Sequence, residues 1–201
     1  MKKGAVKWLL VFMLTTLAVA LGGCAGDKEG ESSSQITIGI PQDLEDSLDP
    51  HKAVAAGTKE VLFNLFEGLV KPTSDGDLIP AVASAYEESE GGKVYTFTLR
   101  DGVKFHDGSL VTAEDVKFSL DKCADTSNGG PLVSAFSNIE SVTIADDHTV
   151  VVTLQEADTE FLAYMTTAII PKANENSDTN PIGTGPYKYV SRSPQENFIV
   201  E

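Results

Sequence analysis

Three local patterns predict a mixed α/β fold. In residues 95–99, Tyr95, Phe97 and Leu99 alternate with Thr96 and Thr98, the two-residue period of a strand with one buried face. After Thr112, the residues Ala113, Val116, Leu120 and Cys123 return at near-helical spacing, so one stripe of a helix faces a core. Residues 139–144 and 149–154 flank Ala145, Asp146, Asp147 and His148, and the second arm, TVVVTL, is rich in the β-branched residues that strands favour. Strands and helices therefore interleave along one chain, which defines the α/β class.

From the N-terminus, the chain opens with Lys2, Lys3 and Lys7, an apolar run over residues 8–21, then Gly22, Gly23 and Cys24. The run is short for a membrane span, which needs ~20 apolar residues, and suits the core of a signal peptide. Small residues directly before Cys24 resemble a lipobox. That resemblance implies a lipoprotein signal peptide over 1–23 and a diacylated Cys24 as the first mature residue; an ordinary signal peptide cut near residues 20–23 is the alternative. Each buried methylene adds roughly 0.8 kcal/mol to anchoring, so two acyl chains hold far better than one. Residues 24–34 are polar and poor in apolar side chains, a flexible tether whose ten residues after Cys24 reach at most ~35 Å.

The 201 residues carry 15 Lys and Arg against 30 Asp and Glu, a formal charge of −15. Removal of residues 1–23, with three lysines and no acid, takes the charge to −18. Phosphate backbones repel such a body, which argues against nucleic acid as a partner. His51, His106 and His148 are the only histidines and show no i, i+4 pairing, so no metal-ligand spacing is present. There is no Gly-x-Ser-x-Gly elbow, and Cys123 has no local activating partner. The chain is expected not to be an enzyme and to need no cofactor or metal. With Cys24 lipidated, Cys123 lacks a disulfide partner and reads as a small buried hydrophobe.

The remaining elements follow in order. Residues 35–40, QITIGI, alternate apolar and small side chains as a first strand would, and Pro41 stops it. Residues 59–69 place Leu62, Phe66 and Leu69 on one side of an amphipathic helix, with Gly68 near its stop. Ser74, Asp75 and Gly76 make a turn, and residues 81–88 read as a short helix or turn. Asp101-Gly102 and Asp107-Gly108 supply turn chemistry, because Gly tolerates positive φ and Asp bonds the nearby backbone. Between them, Val103 and Phe105 suggest a short strand. Asp115 stands three residues after Thr112, the spacing of a helix capping box. Residues 125–130 form an exposed loop. Residues 158–165 form a helix with Phe161, Leu162 and Met165 inward, and 187–191 with 197–200 form two arms of a hairpin.

The run FTLRDGVKFHDG (97–108) followed by VTAEDVKFSL (111–120) resembles the signature of the family 5 extracellular solute-binding proteins, the peptide- and nickel-binding components of ABC importers. LDPH (48–51), NLFEGLV (64–70), LIPAVA (78–83) and PIGTGPY (181–187) resemble further phrases of that family, so the resemblance runs over residues 35–201. No Gly-Lys-Ser/Thr follows PIGTGPY, which disfavours a phosphate loop there. The resemblance implies a periplasmic-binding-protein-like type II fold. Residues 35–201 would be its first lobe, with an inserted β-rich subdomain over 70–171, truncated before the second lobe.

The resemblance also implies a function: capture of oligopeptides or dipeptides outside the membrane. The captor would be a lipid-anchored monomer serving an ABC permease and ATPase. A nickel or haem binder, or a surface receptor without transport, is the alternative. For the site, it implies that the segment after LDPH lines one cleft wall. There Val54, Ala55 and Ala56 would admit a ligand backbone, and Leu132 would reach in from the loop before it. Small residues at 53–56 also suit the mere opening of a helix.

Overall fold

The structure is a computed structural model that describes residues 36–40, 44, 47–127, 131–174 and 178–201. The chain divides into two units, residues 1–39 and 40–201. Of the first, residues 36–39 are described, and they are exposed. The expected signal peptide, Cys24 and the tether lie outside the described residues.

The second unit opens with α1 (Ala56–Leu62) and a small hairpin, β1 (Val70–Pro72) with β2 (Leu78–Pro80), turned at Gly76 with φ 90°. Its centre is an antiparallel sheet of four strands, β3 (Ala83–Ser89), β4 (Val94–Leu99), β5 (Ile139–Asp146) and β6 (Thr149–Leu154), ordered β3-β4-β6-β5. Tyr95 stands opposite Val152 and Phe97 opposite Val150. This register turns Tyr95, Phe97, Leu99, Val150, Val152 and Leu154 to one face, where all are buried. A fully buried apolar side chain of this size contributes about 1.5–3 kcal/mol, so the central pair of strands anchors the unit.

Helix α2 (Ala113–Ala124) covers that face with Ala113, Val116, Leu120 and Cys123, the stripe expected from spacing. Its start is a capping box: the Asp115 N–H donates to Thr112 Oγ1 at 3.3 Å, and the Thr112 N–H donates to Asp115 Oδ2 at 2.9 Å. Asp115 Oδ1 also accepts the Lys172 N–H at 2.8 Å, and Ser119 Oγ accepts the Ile170 N–H at 2.9 Å. The helix thereby fixes the path of residues 169–172. Burial pushes the Cys123 thiol up to about 12, so little reactive thiolate forms. In a Cys24→Ser chain, a thiol reagent at pH 8 is expected to leave native Cys123 unmodified and to label it fully in urea. Labelling of the native chain would contradict this packing.

Several expected elements differ. Residues 36–40 join no sheet and stay exposed, because no described strand pairs with them. The expected helix over 59–69 starts at Ala56 and ends at Leu62. Beyond it, the carbonyls of Asn64 and Leu65 accept the N–H groups of Tyr187 and Gly185, so they are taken by a distant loop. Gly68 does not stop a helix. A Cβ there would overlap the Met165 carbonyl, so it is the room that matters. Of the expected short helix or turn over 81–88, residues from Ala83 onward instead belong to β3 (Ala83–Ser89), which pairs with β4 as an edge strand, Tyr86 opposite Phe97, because an available ladder outweighs the weak local preference of ASAYEES.

Val103 and Phe105 frame one bridge, Lys104 with Leu110, between turns at Gly102 (φ 72°) and Gly108 (φ 89°). The helix expected over 158–165 is a 3-10 helix, Phe161–Thr166, with Phe161 and Met165 buried. Finally β7 (Tyr189–Ser193) and β8 (Asn197–Val200) pair, among the described residues, only with each other. Their Tyr189, Phe198 and Val200 pack on a second core of Leu44, Leu48, Leu62, Leu65, Phe66 and Ile170.

Candidate functional site

The LDPH phrase forms a tight, buried polar knot. The Asp49 carbonyl accepts the N–H groups of Lys52 and Ala53, each at 3.0 Å, and Asp49 Oδ1 accepts the His51 N–H at 3.0 Å. Asp49 is fully buried and its Oδ2 lies 2.9 Å from Lys122 Nζ, on the last turn of α2. Lys52 Nζ stands 3.7 Å from the same oxygen and 2.8 Å from Asp178, whose other oxygen accepts from Ser47 Oγ. His51 Nε2 lies 2.7 Å from the Ala168 carbonyl. One turn thus joins α2, residues 166–168 and Asp178.

Beside this knot is a concavity of about 240 Å³, whose lining includes Pro50, Ala53, Lys59, Phe63, Leu132 and Thr167. Phe63 and Leu132 are exposed apolar side chains, 60% and 51% accessible. Leu132 is held by its N–H to the Cys123 carbonyl at 2.9 Å, which ties it to the end of α2. The structure therefore brings Leu132 to the segment after LDPH. Val54, Ala55 and Ala56 are exposed at the start of α1, next in sequence to Ala53, and are not part of the lining. Sequence reasoning passed over Lys59, Phe63 and Thr167. Phe63 offered a signal: a large aromatic off the apolar stripe of its helix is unexplained by core packing.

The electrostatics of the knot are pH-dependent. Burial holds the His51 imidazole below its usual range, with Lys122 acting the same way and the Ala168 hydrogen bond and Asp49 opposing. In the unfolded chain a histidine takes its proton near pH ~6.5, before the folded chain does. Below that pH the unfolded state binds more protons, so stability falls as pH drops through ~6.5 towards the folded value. Urea midpoints are expected to be lower at pH 5.5 than at pH 7.5, with a smaller difference in His51→Phe. An equal difference in that variant would contradict the assignment.

His106 bonds the PIGTGPY segment through its ring and its backbone N–H. Its Nε2 lies 2.9 Å from the Gly185 carbonyl, its Nδ1 accepts the Gly183 N–H at 3.3 Å, and its own N–H donates to the Gly183 carbonyl at 2.9 Å. The PIGTGPY crossover is thereby pinned to the Asp107-Gly108 turn. Among the described residues no group of three His, Cys, Asp or Glu is placed to hold a metal ion.

The described residues form a mixed α/β body with one open, partly apolar concavity beside the LDPH knot. Residues 77–201 match the family described as bacterial extracellular solute-binding proteins, family 5 Middle, and the chain belongs to that family, whose members bind solutes outside the cytoplasm and are not enzymes. It is 34% identical over 161 residues to the glutathione-binding protein GsiB of Pectobacterium atrosepticum, covering 76% of this chain and 31% of that relative. Its fold is similar to that of the oligopeptide-binding protein AppA of Bacillus subtilis in complex with a nonapeptide: TM-score 0.70, 27% identity, 82% of this chain and 35% of that one. It is also similar to NikZ of Campylobacter jejuni in complex with Ni(L-His): TM-score 0.62, 35% identity, 66% of this chain and 29% of that one. The chain thus spans about a third of the length of these proteins.

Proposed function

We propose that this chain is part of the solute-binding component of an ABC importer that captures oligopeptides or dipeptides outside the membrane. In this reading residues 35–201 are the first lobe of a type II binding protein, with residues 70–171 as its inserted subdomain. Residues 1–23 are a lipoprotein signal peptide, Cys24 carries the acyl anchor, and 24–34 is the tether. The carrying observation is the likeness to AppA bound to a nonapeptide, over 82% of this chain. The glutathione-binding relative, whose ligand is itself a tripeptide, points the same way.

An extended peptide would lie along Val54, Ala55 and Ala56, its backbone paired as an added strand is, while Leu132 contacts a side chain. Ligand favours the closed form of the whole two-lobed monomer through contacts made only there, and the permease recognises that form. ATP hydrolysis belongs to the partner ATPase. The 35% identity to NikZ favours a second reading, capture of a nickel complex. Calorimetry separates them: trialanine and glutathione are expected to release heat on binding, and Ni²⁺ with L-histidine is not. Heat from the nickel complex alone would overturn the peptide reading.

A further inference from the structure

The lining of the concavity holds one permanent cation, Lys59, and among the described residues no Asp or Glu, although the chain carries 30 of them. Lys59, Leu62, Phe63 and Phe66 all belong to that lining and follow one another at helical spacing. The Phe63 N–H donates to the Lys59 carbonyl at 2.9 Å, and the Phe66 N–H to the Leu62 carbonyl at 3.0 Å. One face of this segment therefore turns to the concavity, and on it Lys59 and Phe63 are exposed one turn apart.

Nothing on its own face neutralises Lys59. The positions three and four residues away, where a helical lysine finds its acid, are Ala55, Ala56, Leu62 and Phe63. Lys71 and Lys117 do find one at that spacing, Glu67 and Asp121, each at 2.8 Å. Lys59 makes no ion pair among the described residues. An exposed ammonium is content in water, so this alone calls for no ligand. Its surroundings add the second observation: Phe63 and Leu132, 60% and 51% accessible, line the same concavity. A solute that covers them removes apolar surface from water and thins the water beside Lys59, which strengthens attraction to an anion.

The hydroxyls of the lining settle which solute group belongs at the lysine. Thr166 Oγ1 donates to the Ala163 carbonyl at 2.9 Å and Thr167 Oγ1 to the Tyr164 carbonyl at 2.8 Å, so their hydrogens are used and lone pairs remain. His51 Nε2 is held by the Ala168 carbonyl. Among the lining side chains Lys59 alone keeps N–H donors free, and a carboxylate, which only accepts, is their complement.

We propose that Lys59 pairs with a carboxylate of the bound peptide while the apolar side chain beside that carboxylate rests on Phe63 and Leu132. This rests on the peptide reading above and adds to it the class of peptide that this wall selects, one with a free acid next to an apolar group.

The test is calorimetry of the chain with Ala-Ala-Leu, its C-terminal amide, and Ala-Glu-Leu amide. The free acid is expected to bind about fivefold more tightly than the amide, the upper range for a pair on an open wall, and the preference should shrink with added salt. It should vanish in Lys59→Gln and persist in Lys59→Arg. The Lys59 side chain holds no other group of the fold, so Lys59→Gln should keep the native urea midpoint. Recovery of affinity in Ala-Glu-Leu amide, lost again in Lys59→Gln, would support the pairing and show that a side-chain carboxylate serves as well as a terminal one. Equal binding of acid and amide, or a preference undiminished in Lys59→Gln, would overturn the inference and leave peptide capture standing. No binding of any of the three peptides at millimolar concentration would overturn peptide capture by this chain, and the inference with it.

Discussion

The Lys122→Met chain is expected to lose about 3 kcal/mol of stability, seen as a fall of roughly 1.5 M in the urea midpoint. Asp49 is fully buried and Lys122 supplies its nearest cation at 2.9 Å. Removing one partner of a buried pair leaves a charge without water or counter-ion, which costs about 3–5 kcal/mol. The low end applies because Lys52 remains 3.7 Å from the same oxygen and gives partial compensation. Asp49→Asn should cost less: the amide oxygen can still accept the His51 N–H, and Lys122, one-fifth accessible, turns to water. The double variant is expected to recover much of the loss, since the unpaired buried charge is gone. A double variant no more stable than Lys122→Met would refute this account of the pair.

Gly183→Ala is expected to destabilise by about 2–4 kcal/mol, with a local signature. A Cβ at this buried position would overlap the Leu65 carbonyl oxygen and press on the Phe66 ring. Overpacking of this kind costs about 1–3 kcal/mol, and each hydrogen bond lost with it adds about 1 kcal/mol. Besides the two bonds to the His106 ring, three backbone bonds hold the crossover: His106 N–H to the Gly183 carbonyl, Gly185 N–H to Leu65 and Tyr187 N–H to Asn64, at 2.9, 2.9 and 3.1 Å. The crossover feeds β7 directly, and among the described residues β7 pairs only with β8. Hydrogen exchange should therefore speed up in β7 and β8 while β4 and β6 keep their protection. Uniform acceleration across all strands would show that the crossover is not a separate unit of stability.

These two positions show what could be read from residues alone. The Tyr95–Phe97–Leu99 alternation, the TVVVTL arm, the Asp-Gly turns and the Thr112–Asp115 cap each depend on neighbours within a few positions, and each appears as expected. Strand 35–40 and helix 59–69 failed because their outcome depends on distant partners. The first has no described ladder to join, and the last carbonyls of the second are taken by Gly185 and Tyr187, more than a hundred residues away. The site divides in the same way. Leu132 and the LDPH segment were named in advance, yet the concavity also draws on Lys59, Phe63 and Thr167, whose types carry no motif.

By itself, then, the sequence determined the class, the turn and cap chemistry, the packed stripe ending at Cys123 and the family to which the chain belongs. These are short-range or pattern-borne properties, written in the order of the residues. Only the tertiary structure decided that Asp49 would meet Lys122, that His51 would turn Nε2 to Ala168, and that Gly183 would lie against Leu65. Such pairings depend on where the folded backbone returns to itself, and no local spacing encodes that return.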